Sequence, residues 1–171
     1  MRGGRGFTMI EFLITMGMFT IVAGIALFIN MQSYRASNFR TDRDLLIATL
    51  QRARSQAISN ICLGTCSGND GLKHGVAIRP SDHPGAFVIF QTTSDYASRG
   101  ATNSAVDTVI VASSSQATGI ASVVFDQLSG NVSSVTSAVC PVGTPRCIVL
   151  TGDGHVSTTT ISSDGQITWT N

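Results

Sequence analysis

An apolar segment near the N-terminus most constrains what this chain can fold into. Phe7 to Ile29 is a run of 23 residues in which Glu11 carries the one charge. As an α-helix rising about 1.5 Å per residue, the run is roughly 34 Å long, enough to cross a hydrocarbon core of about 30 Å. The run therefore predicts a transmembrane helix with a separate domain after it.

The charges around this segment predict its orientation. Arg2 and Arg5 precede the run, so the positive-inside rule keeps the N-terminus in the cytoplasm. Arginines beyond the run weaken this bias. A secretory signal peptide needs an apolar stretch of about 7–15 residues that ends in a small-x-small cleavage site, whereas this run continues to Ile29. A simple membrane anchor remains the alternative interpretation.

Glu11 distinguishes this segment from a simple anchor. A carboxylate within a membrane segment costs several kcal/mol, so its presence suggests a function. The run contains no cation, but cleavage between Gly6 and Phe7 would create one, because the new α-amine of Phe7 lies about one helical turn from Glu11. The pattern therefore predicts cleavage followed by lateral assembly, in which the pair can also form between chains.

The segment RGFTMIE at residues 5–11, with the apolar run behind it, closely resembles the signature of type IV prepilins and type II secretion pseudopilins. The resemblance implies that a prepilin peptidase cuts after Gly6 and methylates the nitrogen of Phe7, and that Glu11 guides docking to a neighbouring subunit. Many major pilins have a proline at the position of Phe28, and this chain has none before Pro80. The departure favours a minor subunit.

The resemblance also implies partners and a location. The partners are the prepilin peptidase, other pilins or pseudopilins contacted through the N-terminal helix, an inner-membrane assembly platform, and membrane lipid before assembly. The chain is expected in the cytoplasmic (inner) membrane, crossing it once with its C-terminal part outside the cytoplasm, and then in a pilus or pseudopilus.

The pattern beyond the apolar run predicts a helix followed by strands. Five apolar residues recur at helical spacing: Leu46, Leu50, Ala53, Ala57 and Ile61. Short β-prone runs then follow near residues 75–79, 86–91, 107–112, 122–126, 147–151, 155–161 and 166–170. No helical pattern separates them, so antiparallel pairing is favoured. We predict an α+β, pilin-like fold with a leader at 1–6, a transmembrane or filament-core helix at 7–29, its amphipathic continuation at 30–61, and a β-rich exported head at 62–171.

Within the prepilin group, three segments resemble the GspH/FimT subfamily. They are the helix segment at residues 45–58 with its Ala-Arg-Ser, the Val-Phe-Asp-x3-Gly stretch at 124–130, and the closing hairpin at 161–167 around Asp164-Gly165. The resemblance implies a minor subunit that helps to initiate assembly or caps the filament tip.

Four cysteines occur as two closely spaced pairs, Cys62 with Cys66 and Cys140 with Cys147. In an exported head oxidation is the default state, and local pairing is the simplest of three connectivities. A four-cysteine zinc site is the alternative, but neither spacing is the two-residue spacing common in zinc ribbons. We predict two local disulfides, no metal and no cofactor.

The remaining composition argues against an enzyme and disfavours DNA as a partner. His74, His83 and His155 are flanked by Gly, Pro or Asp, which is typical of exposed turns, and no phosphate-binding loop or nucleophile motif is present. Residues 62–171 carry four basic and seven acidic side chains. A nucleic-acid binder usually presents a basic surface. A DNA-binding minor pilin, and a signal-anchored membrane protein outside any filament, remain the alternative functions.

Overall fold

The computed structural model describes residues 8–63, 73–92, 106–110, 115–136, 140 and 146–170. Contacts divide the chain into two compact units, residues 1–37 and 38–171. One long helix, α1 (Met9–Ile58), supplies the described part of the first unit and begins the second. The prediction of a long N-terminal helix followed by antiparallel sheet is confirmed.

In the first unit, most of the described side chains of α1 are exposed. Among the large apolar ones are Phe12, Phe19, Val22, Leu27 and Phe28, each more than half exposed. By length and composition this helix is apolar enough to cross a membrane. Because water-exposed apolar surface of this extent is unfavourable, the helix needs a lipid or protein environment.

In the second unit, one face of α1 packs into the core. Leu46, Leu50, Ala53 and Ala57 are fully buried, as their spacing predicts. Ile61, predicted on the same face, is 47% exposed because the helix ends at Ile58, three residues earlier than expected.

The nine described strands form two antiparallel sheets. Their bounds are β1 (Lys73–Ile78), β2 (Ala86–Thr92), β3 (Val106–Ile110), β4 (Gln116–Gly119), β5 (Ser122–Phe125), β6 (Val132–Thr136), β7 (Cys147–Gly152), β8 (His155–Ile161) and β9 (Ile167–Thr170). The first sheet has the order β3-β2-β1-β5-β6, and the second has the order β4-β7-β8-β9. The sequence predicted seven of these strands and missed β4 and β6, both of which lie at sheet edges.

The main core lies between α1 and both sheets. It joins the buried helix face to the first sheet through Phe87, Ile89 and Phe125, and to the second sheet through Ile148 and Leu150. A second, smaller cluster occupies the other face of the first sheet and includes Val88 and Phe90. Burying a side chain of this size contributes about 1.5–3 kcal/mol, so these contacts fix the second half of α1 against the sheets.

Candidate functional site

The start of α1 is built by a reciprocal pair of side chains, Thr8 and Glu11. The backbone N–H of Thr8 donates to Oε2 of Glu11 at 3.3 Å, and the Thr8 hydroxyl donates to the same oxygen at 3.2 Å. In return, the backbone N–H of Glu11 donates to the Thr8 hydroxyl oxygen at 3.4 Å. This arrangement is a capping box, which satisfies N–H groups that have no partner within the helix.

The capping box gives the Glu11 carboxylate polar partners within its own chain. Its position in the first turn also places its negative charge at the positive end of the helix dipole. These contacts were not predicted, because the sequence offered no cation near Glu11 other than the α-amine that cleavage would create, although the Thr-x-x-Glu spacing is a signal for them. Gly6 and Phe7, the predicted cleavage site and methylation site, lie outside the described residues, so both assignments stay predictions.

Two threonines inside the apolar segment have their hydroxyls satisfied within the helix. Thr15 donates to the carbonyl oxygen of Phe12 at 2.9 Å, and Thr20 donates to that of Gly17 at 2.8 Å. A polar group left without a partner in hydrocarbon costs several kcal/mol. These bonds make both threonines compatible with a membrane interior.

Of the predicted disulfides, Cys140–Cys147 is present, with its Cα atoms 5.7 Å apart. Cys147 is buried at the start of β7, so the bond ties Cys140 to the second sheet. Cys62 is also disulfide-bonded, and Cys66, its predicted partner, lies outside the described residues. In the described part of the chain, no three or more His, Cys, Asp or Glu side chains are grouped to hold a metal ion.

The prediction that the histidines lie in exposed turns is wrong for His74. His74 was expected in an exposed turn, but it lies fully buried in β1, with Nε2 2.7 Å from the carbonyl oxygen of Ile61 just beyond α1. Burial lowers the pKa of His74 below its ordinary value, and the bond to Ile61 opposes this in part. The Nδ1 atom is buried without a partner among the described residues. His155 lies in β8 with its ring 5.6 Å from that of Phe39, and His83 lies in a turn.

Arg54 joins three segments that are far apart in the sequence: its own helix segment at residues 45–58, and the stretches at 124–130 and 161–167. Its Nε donates to the carbonyl oxygen of Gly130 at 3.2 Å, and its Nη2 donates to that of Asp164 at 3.0 Å. The two loops also touch each other, since a Cβ placed on Gly165 would lie 2.2 Å from the Gly130 oxygen. We call this contact set the Arg54 junction. It fixes the end of α1 to the β5–β6 and β8–β9 turns.

Two basic side chains of the sheets are already engaged. Lys73 forms a 2.9 Å ion pair with Asp126, and its hydrogen bond holds the pKa of that carboxyl below its ordinary value. Arg79 donates to Ser115 at 3.3 Å, and Ser115 in turn donates to the buried carboxylate of Asp42. The ion pair offsets the charge of Lys73, and the bond to Ser115 occupies one of the N–H donors of Arg79.

Comparison with known proteins finds a family match for the N-terminal part of the chain. Residues 1–27 match the family model of the prokaryotic N-terminal methylation motif. No curated protein and no solved structure matches the chain. The apolar helix and this motif are consistent with a single-pass anchor in the inner membrane. The match therefore supports a type IV prepilin-like N-terminus, of the kind that a prepilin peptidase processes.

Proposed function

We propose that this chain is a minor pilin or pseudopilin, cleaved after Gly6, N-methylated at Phe7 and assembled into a type IV pilus or a type II secretion pseudopilus. The observation that carries the proposal is the match of residues 1–27 to the methylation motif at the start of a helix with exposed apolar side chains. Such a helix is stable in lipid, and it leaves lipid when neighbouring helices replace that environment.

A minor role, in initiation or at the tip, is supported by two features. The helix α1 contains no proline, whereas many major pilins have a proline in the corresponding helix. The Arg54 junction also brings together the segments that resemble GspH/FimT motifs, which gives those residues a common structural purpose.

In this proposal Glu11 has a different partner at each stage. Before assembly, Thr8 satisfies its carboxylate within the chain. After cleavage, the α-amine of Phe7, from the same chain or a neighbour, supplies a cation that strengthens docking. The ammonium group adds a Coulombic attraction to the carboxylate that the neutral Thr8 donors lack, so a pair formed with a neighbouring chain favours the assembled state.

The test is an intact mass measurement with N-terminal fragmentation on protein produced with an active prepilin peptidase. We expect the wild-type chain to start at Phe7 and to carry one added methyl group. The Gly6→Val variant should keep Met1, because it replaces the residue after which the proposed cut is made. Gly4→Val, a matched glycine substitution in the same leader, should be processed normally.

Retention of Met1 by the wild-type chain, alongside normal processing of a control prepilin in the same cells, would contradict the proposal. That result would favour the alternative function, a signal-anchored membrane protein outside any filament. Equal processing of Gly4→Val and Gly6→Val would instead mean that the cut does not depend on Gly6 and that the cleavage site lies elsewhere.

DNA uptake is the alternative role for such a minor subunit. The ion pair with Asp126 offsets the charge of Lys73, and the hydrogen bonds of Arg54 and Arg79 occupy N–H donors that phosphate would need. Duplex-DNA binding by the full chain that weakens steeply with salt would support this alternative, because phosphate contacts release counterions. We expect no such binding at low salt.

A further inference from the structure

Arg35 follows the apolar segment on α1 and has an exposed side chain. Within the described ranges it makes no hydrogen bond or ion pair. The helix positions three and four residues away hold Met31, Gln32, Asn38 and Phe39, so no acidic residue can pair with it along the helix. Arg43, by contrast, binds the carboxylate of Asp44 at 2.8 Å.

The spacing of charges on α1 places Arg35 at a membrane boundary. Residues 12–34 carry no charge, and Glu11 and Arg35 flank them. The 24 steps between Glu11 and Arg35 span about 36 Å along the helix, whereas the hydrocarbon core is about 30 Å thick. We therefore centre the bilayer on residues 12–34, a placement that differs from the apolar run 7–29 by moving Glu11 from the hydrocarbon to its edge. Each of the two charges then lies about 3 Å outside the hydrocarbon, in opposite headgroup layers.

Tyr34 supports this placement. It is 67% exposed and immediately precedes Arg35, whereas Phe28 and Ile29 on the membrane side are purely apolar and also exposed. Tyrosine is enriched where hydrocarbon meets headgroups because its ring is apolar and its hydroxyl polar. A long arginine side chain beside it reaches the phosphate level with its stem still in apolar surroundings.

We propose that Arg35, with Tyr34 beside it, binds the phosphate of anionic phospholipids in the outward leaflet and so sets the depth of the helix before assembly. The guanidinium group matches phosphate with two parallel N–H bonds. An anionic headgroup adds net attraction, which a zwitterionic headgroup lacks. This inference rests on the transmembrane placement in the proposed function and adds a lipid class to it.

The test is native mass spectrometry of the full chain released from nanodiscs that contain equal amounts of phosphatidylglycerol and phosphatidylcholine. All variants carry Arg2→Gln and Arg5→Gln, so that cations at the other end of the span do not contribute. We expect retained lipid to be enriched in phosphatidylglycerol. Arg35→Gln should reduce the enrichment about fivefold, which corresponds to ~1 kcal/mol for one basic residue near an anionic surface. Arg35→Lys should keep most of it.

Arg52→Gln is the matched control, because it removes one exposed arginine from the second unit and should leave the enrichment unchanged. Equal enrichment in the Arg35→Gln variant and its parent would overturn the inference while leaving the proposed function intact. Failure of the chain to enter nanodiscs at all would overturn both, because the membrane span itself would then be wrong.

Discussion

The Arg54 junction is the contact whose removal we can predict in most detail. In the Arg54→Met variant, the carbonyl oxygens of Gly130 and Asp164 lose their charged donor, whereas methionine keeps most of the apolar stem. Hydrogen bonds to charged groups contribute about 1.5–3 kcal/mol each. Arg54 is partly exposed, so water replaces part of each bond, and we take ~1 kcal/mol for each of the two.

The expected loss is therefore about 2 kcal/mol in the free energy of unfolding. For a unit of this size it corresponds to a decrease in Tm of roughly 6–8 °C. The measurement is thermal unfolding of the full chain in detergent micelles, followed by near-UV circular dichroism, which reports the packing of the head. Arg40→Met is the matched control, because Arg40 is exposed on the same helix and makes no bond among the described residues. It should change Tm by no more than 1–2 °C.

Gly165→Ala perturbs the same junction from the opposite side. Gly165 has φ +76°, which alanine disfavours, and the new Cβ would meet the Gly130 oxygen at 2.2 Å and Nε of Arg54 at 2.8 Å. We expect this variant to lose more stability than Arg54→Met, and the double variant to lose less than the sum, since both changes disrupt one set of contacts. Equal Tm values for Arg54→Met and Arg40→Met, or strict additivity with Gly165→Ala, would refute this reasoning.

Two further predictions concern Glu11 and His74. Glu11→Ala should be processed normally by the peptidase but enter filaments poorly, because the carboxylate acts in docking. The measurement is the amount of each variant in sheared-filament preparations, with Thr15→Ala as the control. If Glu11→Ala is incorporated as well as Thr15→Ala, the carboxylate has no such role. Because burial lowers the pKa of His74, the unfolded chain binds a proton first as pH falls below about 6.5, and the folded state loses stability there. Denaturant unfolding should show that the free energy of unfolding falls between pH 7 and pH 5 in wild type and His83→Gln, and falls less in His74→Gln. The same pH dependence in all three proteins would contradict this role of His74.

Local patterns in the sequence were enough to predict α1 and most of the sheet. The buried face at Leu46, Leu50, Ala53 and Ala57 follows from helical spacing alone. The strands β4 and β6 were missed because Gln-Ala-Thr-Gly and Val-Ser-Ser-Val-Thr are polar, short edge segments without clear alternation.

The contacts between distant segments could not be predicted in this way. Arg54 bonds to Gly130 and Asp164, which lie 76 and 110 positions further along the chain, and no local pattern predicts such a pairing. His74 was assigned to a turn because Gly75 follows it. In the fold, Gly75 instead allows close packing in β1, since a Cβ there would lie 2.5 Å from the Phe90 ring. The capping box is a local feature that the Thr-x-x-Glu spacing could have predicted, because both of its side chains lie within one helical turn.

The position of that capping box has a consequence for the order of events in maturation. Nucleation is the costly step of helix formation, and the groups that reduce its cost here belong to Thr8 and Glu11. Both residues lie after the proposed cleavage point, so loss of the leader removes none of the side chains that start the helix. From Thr8 onward, the precursor and its product would then share one helix and differ in the charge before it, which makes processing a chemical change that leaves the start of this helix as it was.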